Sequence, residues 1–303
     1  MAQRGSSSSL HLSATAAVDD DDVDGERRPS VCASRLPTTA LLQVFDYLSL
    51  TDIAACMRVC SKWNLALEIE DSELWERWAR RRLPSAALAD AARLLWAARS
   101  WKARLRAWAH AWNPVDVSKN AFVRLDGFTL HRNPVAQSTD GARAKRGFSQ
   151  GRHSWLVWWD GPLGTVAVVG VATRHAALHS PSYLPLLGCD DQGWGWNLVD
   201  NTLLHDGRAV PYPAPRQPQQ AAPTGAANGA VQTAAEQFKY QVGERLRVVL
   251  DCEAHLLYFE TEEGRFLGVA QRALPPVKLF PAVCAVYGNT QVAMTYLGPP
   301  LDG

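Results

Sequence analysis

Two periods of apolar positions divide the chain. From Leu36 to about Trp112 the apolar residues recur at helical spacing, and beyond Asn113-Pro114 they recur every second residue. In "LPTTALLQVFDYLSL", Leu41, Leu42, Val44, Phe45 and Leu48 lie on one helix face. Pro37 suits the first turn, where its missing N–H costs nothing. "SLTDIAACMRVCSKWNLAL" sets Ile53, Cys56, Met57, Cys60 and Trp63 at the same spacing, with Ser49 or Thr51 as cap and Asp52 in the first turn. "SELWERWARRR" predicts a third short helix capped by Ser72, with Leu74, Trp75 and Trp78 as its apolar face. Three short helices over residues 34–83 form a unit that is marginal alone and needs a partner to cover its apolar faces. After Pro84, one stripe of Leu88, Ala91, Leu95, Ala98, Leu105, Trp108 and Trp112 makes residues 84–112 read as a rigid helical linker.

In the second half, "HSWLVWW" places His153, Trp155, Val157 and Trp159 on one face and Ser154, Leu156 and Trp158 on the other. "TVAVVGVAT", "RLRVVLD", "LLYFE", "AVCAVYG" and "VAMTYLG" are further strands, and Asp126-Gly127, Asp160-Gly161, Asp206-Gly207 and Glu263-Gly264 mark turns. Many short strands without intervening helices predict an antiparallel sandwich or barrel over residues 113–303. The Pro/Ala/Gln-rich residues 211–237 read as a mobile insertion. Residues 1–33, Ser-rich and then acidic ("DDDDVDGE"), read as a disordered tail. The fold class is therefore multidomain α + β, a small all-α three-helix unit and helical linker followed by an all-β antiparallel β-sandwich.

Composition narrows the function classes. A net charge of +1 gives no global field toward nucleic acid. The basic stretch from Arg77 to Arg106 reads as a solvated helix face. No apolar run reaches the length of a membrane span, and the N-terminus lacks a signal-peptide core. Six cysteines are scattered without a CxxC pair, which points to a reduced intracellular protein without a zinc module. His131, Ser138 and Asp140 fall close together in "HRNPVAQSTDGAR", but Ser138 lacks the GxSxG context of a hydrolase, and Thr139-Asp140-Gly141 reads as turn chemistry. "GPLG" at 161–164 does not match a phosphate loop, and Asp190-Asp191 lacks companion ligands. Cys56 and Cys60 read as buried small hydrophobes. No metal, cofactor or catalytic site is expected, and binding is the class left standing.

Leu36-Pro37, Phe45, Tyr47-Leu48, Asp52-Ile53, Val59-Cys60, Trp63 and Leu74-Trp75 together resemble an F-box. The resemblance implies docking to a Skp-type adaptor through Leu36, Pro37, Leu41, Leu42, Val44 and Phe45. "GFTLHRNPVAQSTDGAR", "GRHSWLVWW", "GTVAVVGVAT", "LLGCDDQGWGWNL" and "PAVCAVYGN" resemble a SPRY domain, a sandwich that binds short peptides through its loops. Similarity to SPRY proteins with a SOCS box implies peptide binding by Arg132, Pro134, Ala136, Thr173, Tyr183, Leu186, Val286, Tyr287 and Gly288, with Tyr287 standing where those relatives often have Trp. Arg132 is expected to offer fork-shaped donors to the peptide, Pro134 and Ala136 a small-sided wall.

The order F-box, helical linker, SPRY resembles the family of synaptic F-box proteins with a SPRY domain. That resemblance implies a non-catalytic substrate receptor of a ubiquitin ligase, working with a Skp-type adaptor and a Highwire-type (PHR) RING ligase without reliance on a cullin. It implies cytoplasmic localisation extending to the nucleus, target proteins bound through short peptides, proteasomal degradation, and restraint of synapse growth in animals. A non-degradative F-box/SPRY scaffold is the alternative.

Overall fold

The structure, a computed structural model, describes residues 35–213 and 238–300. The expected tail and most of the expected insertion lie outside these residues.

The N-terminal unit has four helices: α1 (Thr38–Phe45), α2 (Leu50–Cys56), α3 (Ser61–Glu68) and α4 (Glu73–Arg82). The second expected helix is two. Its chain turns at Met57–Cys60, and Cys60 is fully extended at φ −159°. That break carries Trp63 edge-on against Phe45, 5.2 Å between ring centres. A capping box starts α2: Ser49 Oγ accepts from Asp52 N, and the Asp52 carboxylate accepts from Ser49 N.

The expected linker helix is also broken, into α5 (Ser85–Ala89), α6 (Ala91–Leu94) and α7 (Trp101–Ala109). Ser100 ends the gap as the cap of α7, its Oγ accepting from Ala103 N and donating to Glu70. The breaks let each short helix press its apolar side onto neighbours that a single straight helix would pass. Leu94, Leu95, Ala98, Leu105 and Ala107 share one buried cluster with Leu41, Phe45, Trp75 and Trp78 of the first unit.

Among the described residues, fifteen strands follow in two antiparallel sheets. The first sheet runs β1 (Trp112–Val117), β4 (Thr139–Ala144), β14 (Phe280–Ala285), β6 (Ala167–Ala172), β8 (Gly193–Asn197), β9 (Thr202–His205) and β10 (Arg208–Pro211), with β7 (His179–Ser180) beside β4. The second runs β13 (Phe266–Gln271), β12 (Leu256–Thr261), β11 (Leu246–Asp251), β5 (Arg152–Asp160), β15 (Gln291–Gly298), β3 (Thr129–Arg132) and β2 (Ala121–Val123).

The alternation in β5 sorts as its sequence predicts. Trp155, Val157 and Trp159 enter the core between the sheets. Leu156 and Trp158 face outward with Ala293 and are buried under the helices. At β5 and β15 the second sheet is thus apolar on both faces, and the helices cover the outer one there, whereas β11 and β12 carry the Arg247–Glu260 ion pair on that side.

Two expectations fail here. Thr139–Ala144 is a fully buried central strand, not a turn. It carries little apolar surface, and Gly141 sits where a Cβ would stand 2.8 Å from the Val283 carbonyl oxygen. Pro211 ends β10 and Tyr212 is buried in the core, donating to Gly268 O at 2.8 Å, so the expected insertion does not begin at 211.

Candidate functional site

β3 delivers Arg132 to the edge of the sandwich, and the chain loops through residues 133–138 into β4. Arg132 N donates to Thr290 O at 3.1 Å and Asn289 N to Arg132 O at 2.8 Å, which joins this loop to the β14–β15 turn. The guanidinium does not face solvent. Its side chain is 2% exposed, Nε meets Asp140 at 3.0 Å, and Nη2 donates to Val135 O at 2.6 Å and Ser138 O at 2.7 Å. The expected role of Arg132 as a peptide donor is therefore corrected. Those donors are spent inside the loop, which they brace.

Asp140 is the counterpart. Its carboxylate accepts from Ser118 and Ser138 hydroxyls, each at 2.6 Å, and meets His179 Nδ1 at 3.1 Å. Burial by itself raises the Asp140 pKa, but the bonds from Ser118, Ser138 and His179 and the Arg132 charge outweigh it and hold the group below the ordinary carboxylate value. No nucleophile emerges from this cluster. Ser138 is buried and bonded to Asp140, and His131 lies against the Phe122 ring instead.

Around the braced loop the structure gathers most of the expected peptide residues. Gly288 lies against Pro134, where an added Cβ would come 2.7 Å from Pro134 Cα. Gln137 N donates to the Tyr183 hydroxyl at 2.8 Å. Pro134 and Ala136 are exposed, as are Tyr183 at 49% and Tyr287 at 46%. Leu186 and Val286 are buried in one small cluster with Val166 and Val168, so they form a floor and present little surface.

Thr173 does not join them. β6 pairs Ala167 with Ala285 at the loop end and Ala172 with Phe280 at the other, so Thr173 sits past the far end, roughly 20 Å away at strand rise. It bonds to Gln192 there. At the loop end the exposed threonine is Thr165, preceding Val166, whose carbonyl accepts from Val286 N at 3.2 Å. Sequence reasoning missed Thr165 and the 67%-exposed Leu184. The signal for Thr165 was its place before the first strand residue of "TVAVVGVAT".

The expected adaptor residues also divide. Pro37 and Val44 are exposed, and Leu36 and Leu42 are half-buried. Leu41 and Phe45 are each 1% exposed and belong to the helical core, which corrects their assignment as contact residues. Their apolar period put them inside. Tyr47, Leu50, Val59, Leu65 and Ile69 are instead apolar side chains the fold leaves outside.

The F-box-like family pattern matches residues 33–81 and the SPRY domain pattern residues 152–298. The two modules define the class: an F-box protein with a SPRY domain, the architecture of a ubiquitin-ligase substrate receptor, in which the F-box implies a Skp-type adaptor and the SPRY domain substrate binding. Proteins of this class are generally adaptors, not catalysts.

The F-box/SPRY domain-containing protein 1 of Caenorhabditis briggsae is 52% identical over 278 residues, 91% of this chain and 77% of its own length. Its namesake from Homo sapiens is 50% identical over 270 residues, 89% and 87% of the two chains. The chain belongs to the F-box/SPRY domain-containing protein 1 family. Among solved structures, the SPRY domain of human HERC1 matches with a TM-score of 0.44 and 15% identity over 61% of this chain and 97% of that one.

Proposed function

We propose that the braced end of the sandwich holds short peptides of target proteins, while the exposed apolar residues of the F-box dock the Skp-type adaptor. The observation that carries this reading is the pair of exposed rings, Tyr183 and Tyr287, set beside Pro134 on a loop fixed from within by Arg132 and Asp140. Large apolar bodies with a polar tip supply contact area at low entropic cost. A micromolar peptide contact, about 8 kcal/mol, suffices when the adaptor brings the ubiquitin-loaded machinery alongside.

The finer reading is that a Highwire-type (PHR) RING ligase works with this receptor in the cytoplasm and nucleus, and at synapses in an animal with neurons. Captured targets then pass to the proteasome. Family resemblance supports this part, and no cofactor is needed for it.

The test is affinity purification of the intact chain and of the Tyr183→Ala/Tyr287→Ala variant, followed by mass spectrometry and ubiquitylation of a captured partner. The variant is expected to lose targets and keep the adaptor. Unaltered target capture refutes the peptide site. Captured partners that remain unmodified point to a scaffold, and absence of any RING ligase of the Highwire type refutes that partner.

A further inference from the structure

At the end of the sandwich opposite Tyr183 and Tyr287 lies a cavity of about 730 Å³ that the peptide reading leaves unused. Four cations line it: Lys145 and Arg146 after β4, Arg174 after β6, and Lys278 before β14. No carboxylate is among its lining residues. Among the described residues none pairs with Arg146, Arg174 or Lys278 in an ion pair. The neighbouring acids have other partners, Asp191 at the rim itself through the lining residue Gln192. Asp116 takes both the Nε and Nη2 of Arg143 at 2.9 Å, and Asp191 accepts from the Gln192 amide at 2.7 Å.

The frame that holds these cations is built. Arg143 Nη1 donates to Thr173 O at 3.1 Å and Ala176 O at 2.7 Å, which fixes the turn carrying Arg174. Thr173 Oγ1 bonds to Gln192 at 2.6 Å and receives His175 N at 3.1 Å. Lys145 Nζ donates to Trp108 O at 3.0 Å and stands over the Trp108 ring, so α7 anchors one side. Burial lowers the Lys145 pKa to about 8, a cost that an arriving anion offsets. One wall is apolar, formed by Val277 and by Phe280, whose ring centre lies 5.8 Å from the Arg174 guanidinium.

We infer that this cleft binds an anionic peptide segment, one with at least two clustered negative charges from phosphorylated side chains or from Asp and Glu. A lone phosphate uses one or two cations, whereas four cations from three segments around one cavity match several spaced charges. Arg146 and Arg174 offer planar forks that suit carboxylate and phosphate alike. Nucleic acid fits less well: Phe280 is only 6% exposed and gives no platform for base stacking. The cleft's size lies within the range of formed ligand pockets, roughly 300–1,000 Å³. The inference rests on the target-recognition reading and deepens it. A target held at both ends of the sandwich is bound bivalently, and phosphorylation of the target is one source of the charge.

The test is fluorescence anisotropy on the purified full chain. The probes are a fluorescein-labelled peptide with two phosphoserines among glutamates, its unphosphorylated form, and a form with glutamine and serine in place of every acid. Both anionic peptides are expected to bind and the neutral one not to; whichever anionic form binds tighter names the source of charge. Arg146→Glu/Arg174→Glu is expected to weaken binding about tenfold or more, since charge-assisted forks are lost and repulsion added. The same variant keeps co-elution with the adaptor. Lys278→Glu alone is expected to weaken binding in the same direction should the double variant fold poorly. Equal binding of the neutral peptide, wild-type affinity in both variants, or tighter binding of a single-stranded oligouridine overturns the inference. Its failure leaves intact the target capture read through Tyr183 and Tyr287, which uses different variants and different probes.

Discussion

Removing the Asp140 carboxylate tests whether the peptide loop is braced from within. The group has 0% side-chain exposure and faces four donors: Ser118, Ser138, His179 and Arg132. Asp140→Ala leaves the 2%-exposed Arg132 guanidinium without a counter-charge. Breaking one side of a buried pair costs about 3–5 kcal/mol, and the Ser118 and Ser138 hydroxyls lose their acceptor besides, since the bonds they receive from Asn120 engage the oxygen and not the proton. That loss is comparable with the low end of a domain's whole stability, roughly 5 kcal/mol. Asp140→Asn is milder. Turned so that its amide NH2 faces Ser118 and His179, both of which can accept, it keeps an oxygen toward Arg132 and Ser138 and loses mainly charge.

The assay is urea unfolding followed by tryptophan fluorescence, run beside target capture. The expected order of midpoints is wild type, Asp140→Asn, then Asp140→Ala. Arg132→Met/Asp140→Leu recovers part of the stability, because an apolar pair of similar volume avoids an unpaired buried charge. It does not recover target capture, because Val135 O and Ser138 O have lost the Arg132 Nη2 that shapes the loop. An Asp140→Ala unfolding free energy within about 0.5 kcal/mol of wild type, the range of ordinary surface substitutions, refutes the brace. A double variant with full target capture refutes its role in shaping the loop.

On the F-box, Val44→Arg is expected to abolish co-elution with the adaptor while the melting temperature holds, since Val44 is 51% exposed at the end of α1 and a cation there suits the helix dipole. Phe45→Ala is expected to lose the adaptor by unfolding the unit, at about 3–5 kcal/mol for a buried ring; a stable Phe45→Ala protein refutes its core placement. His110 stacks on Tyr296 at 4.1 Å, and burial lowers its pKa from 6.5 to about 4 despite its bond to Arg106 O. The unfolded chain therefore takes the proton first as pH falls. Stability drops from about pH 6.5 toward pH 4, by about 1–2 kcal/mol at pH 5 after allowing for partial exposure, and levels off below. The difference between melting temperatures at pH 7.5 and 5.0 should narrow in His110→Phe, part of it remaining because burial also lowers the pKa of His131 and His153, and an unchanged difference refutes this assignment.

The strands that packing dominates were legible. In β5, alternate residues have separate destinations, and the core and the helix-covered face both appear in "HSWLVWW". β4 was not legible, because "TDGARA" is buried by ion pairs and close backbone approach, not by apolar side chains. The helices were over-extended for a related reason. Helical spacing continues across Met57–Cys60 and across Ala97–Ser100, whereas the breaks there accompany tertiary contacts that spacing does not encode, Trp63 on Phe45 and Ser100 capping α7. At the site, residue type located the loop. It could not reveal that Arg132 turns inward, that Leu186 and Val286 are buried, or that the threonine at the loop end is the one preceding β6.

The junction between modules bears on how such a receptor works. The helices do not tether the sandwich loosely. Leu94, Leu95, Ala98 and Leu105 share a buried cluster with Leu156, Trp158 and Ala293 on the outer face of the second sheet. Thr295 donates its hydroxyl to Leu94 O, and Arg93 bridges to Asp160 at 2.8 Å. From the next strand along the chain, the Trp112 indole donates to Val292 O at 3.0 Å, fastening the end of the helical region to β15. A flexible link spreads a captured peptide over a volume that grows with its length, diluting it around the modifying enzyme. Here that spread is removed by packing. That packing fixes the helical region against the second sheet, so on the proposed reading the chain is a spacer that sets the distance from Val44 to the Tyr183–Tyr287 end as well as a pair of binding surfaces. Which target lysines are reached then depends on where they lie relative to the bound peptide, more than on any motion within the receptor.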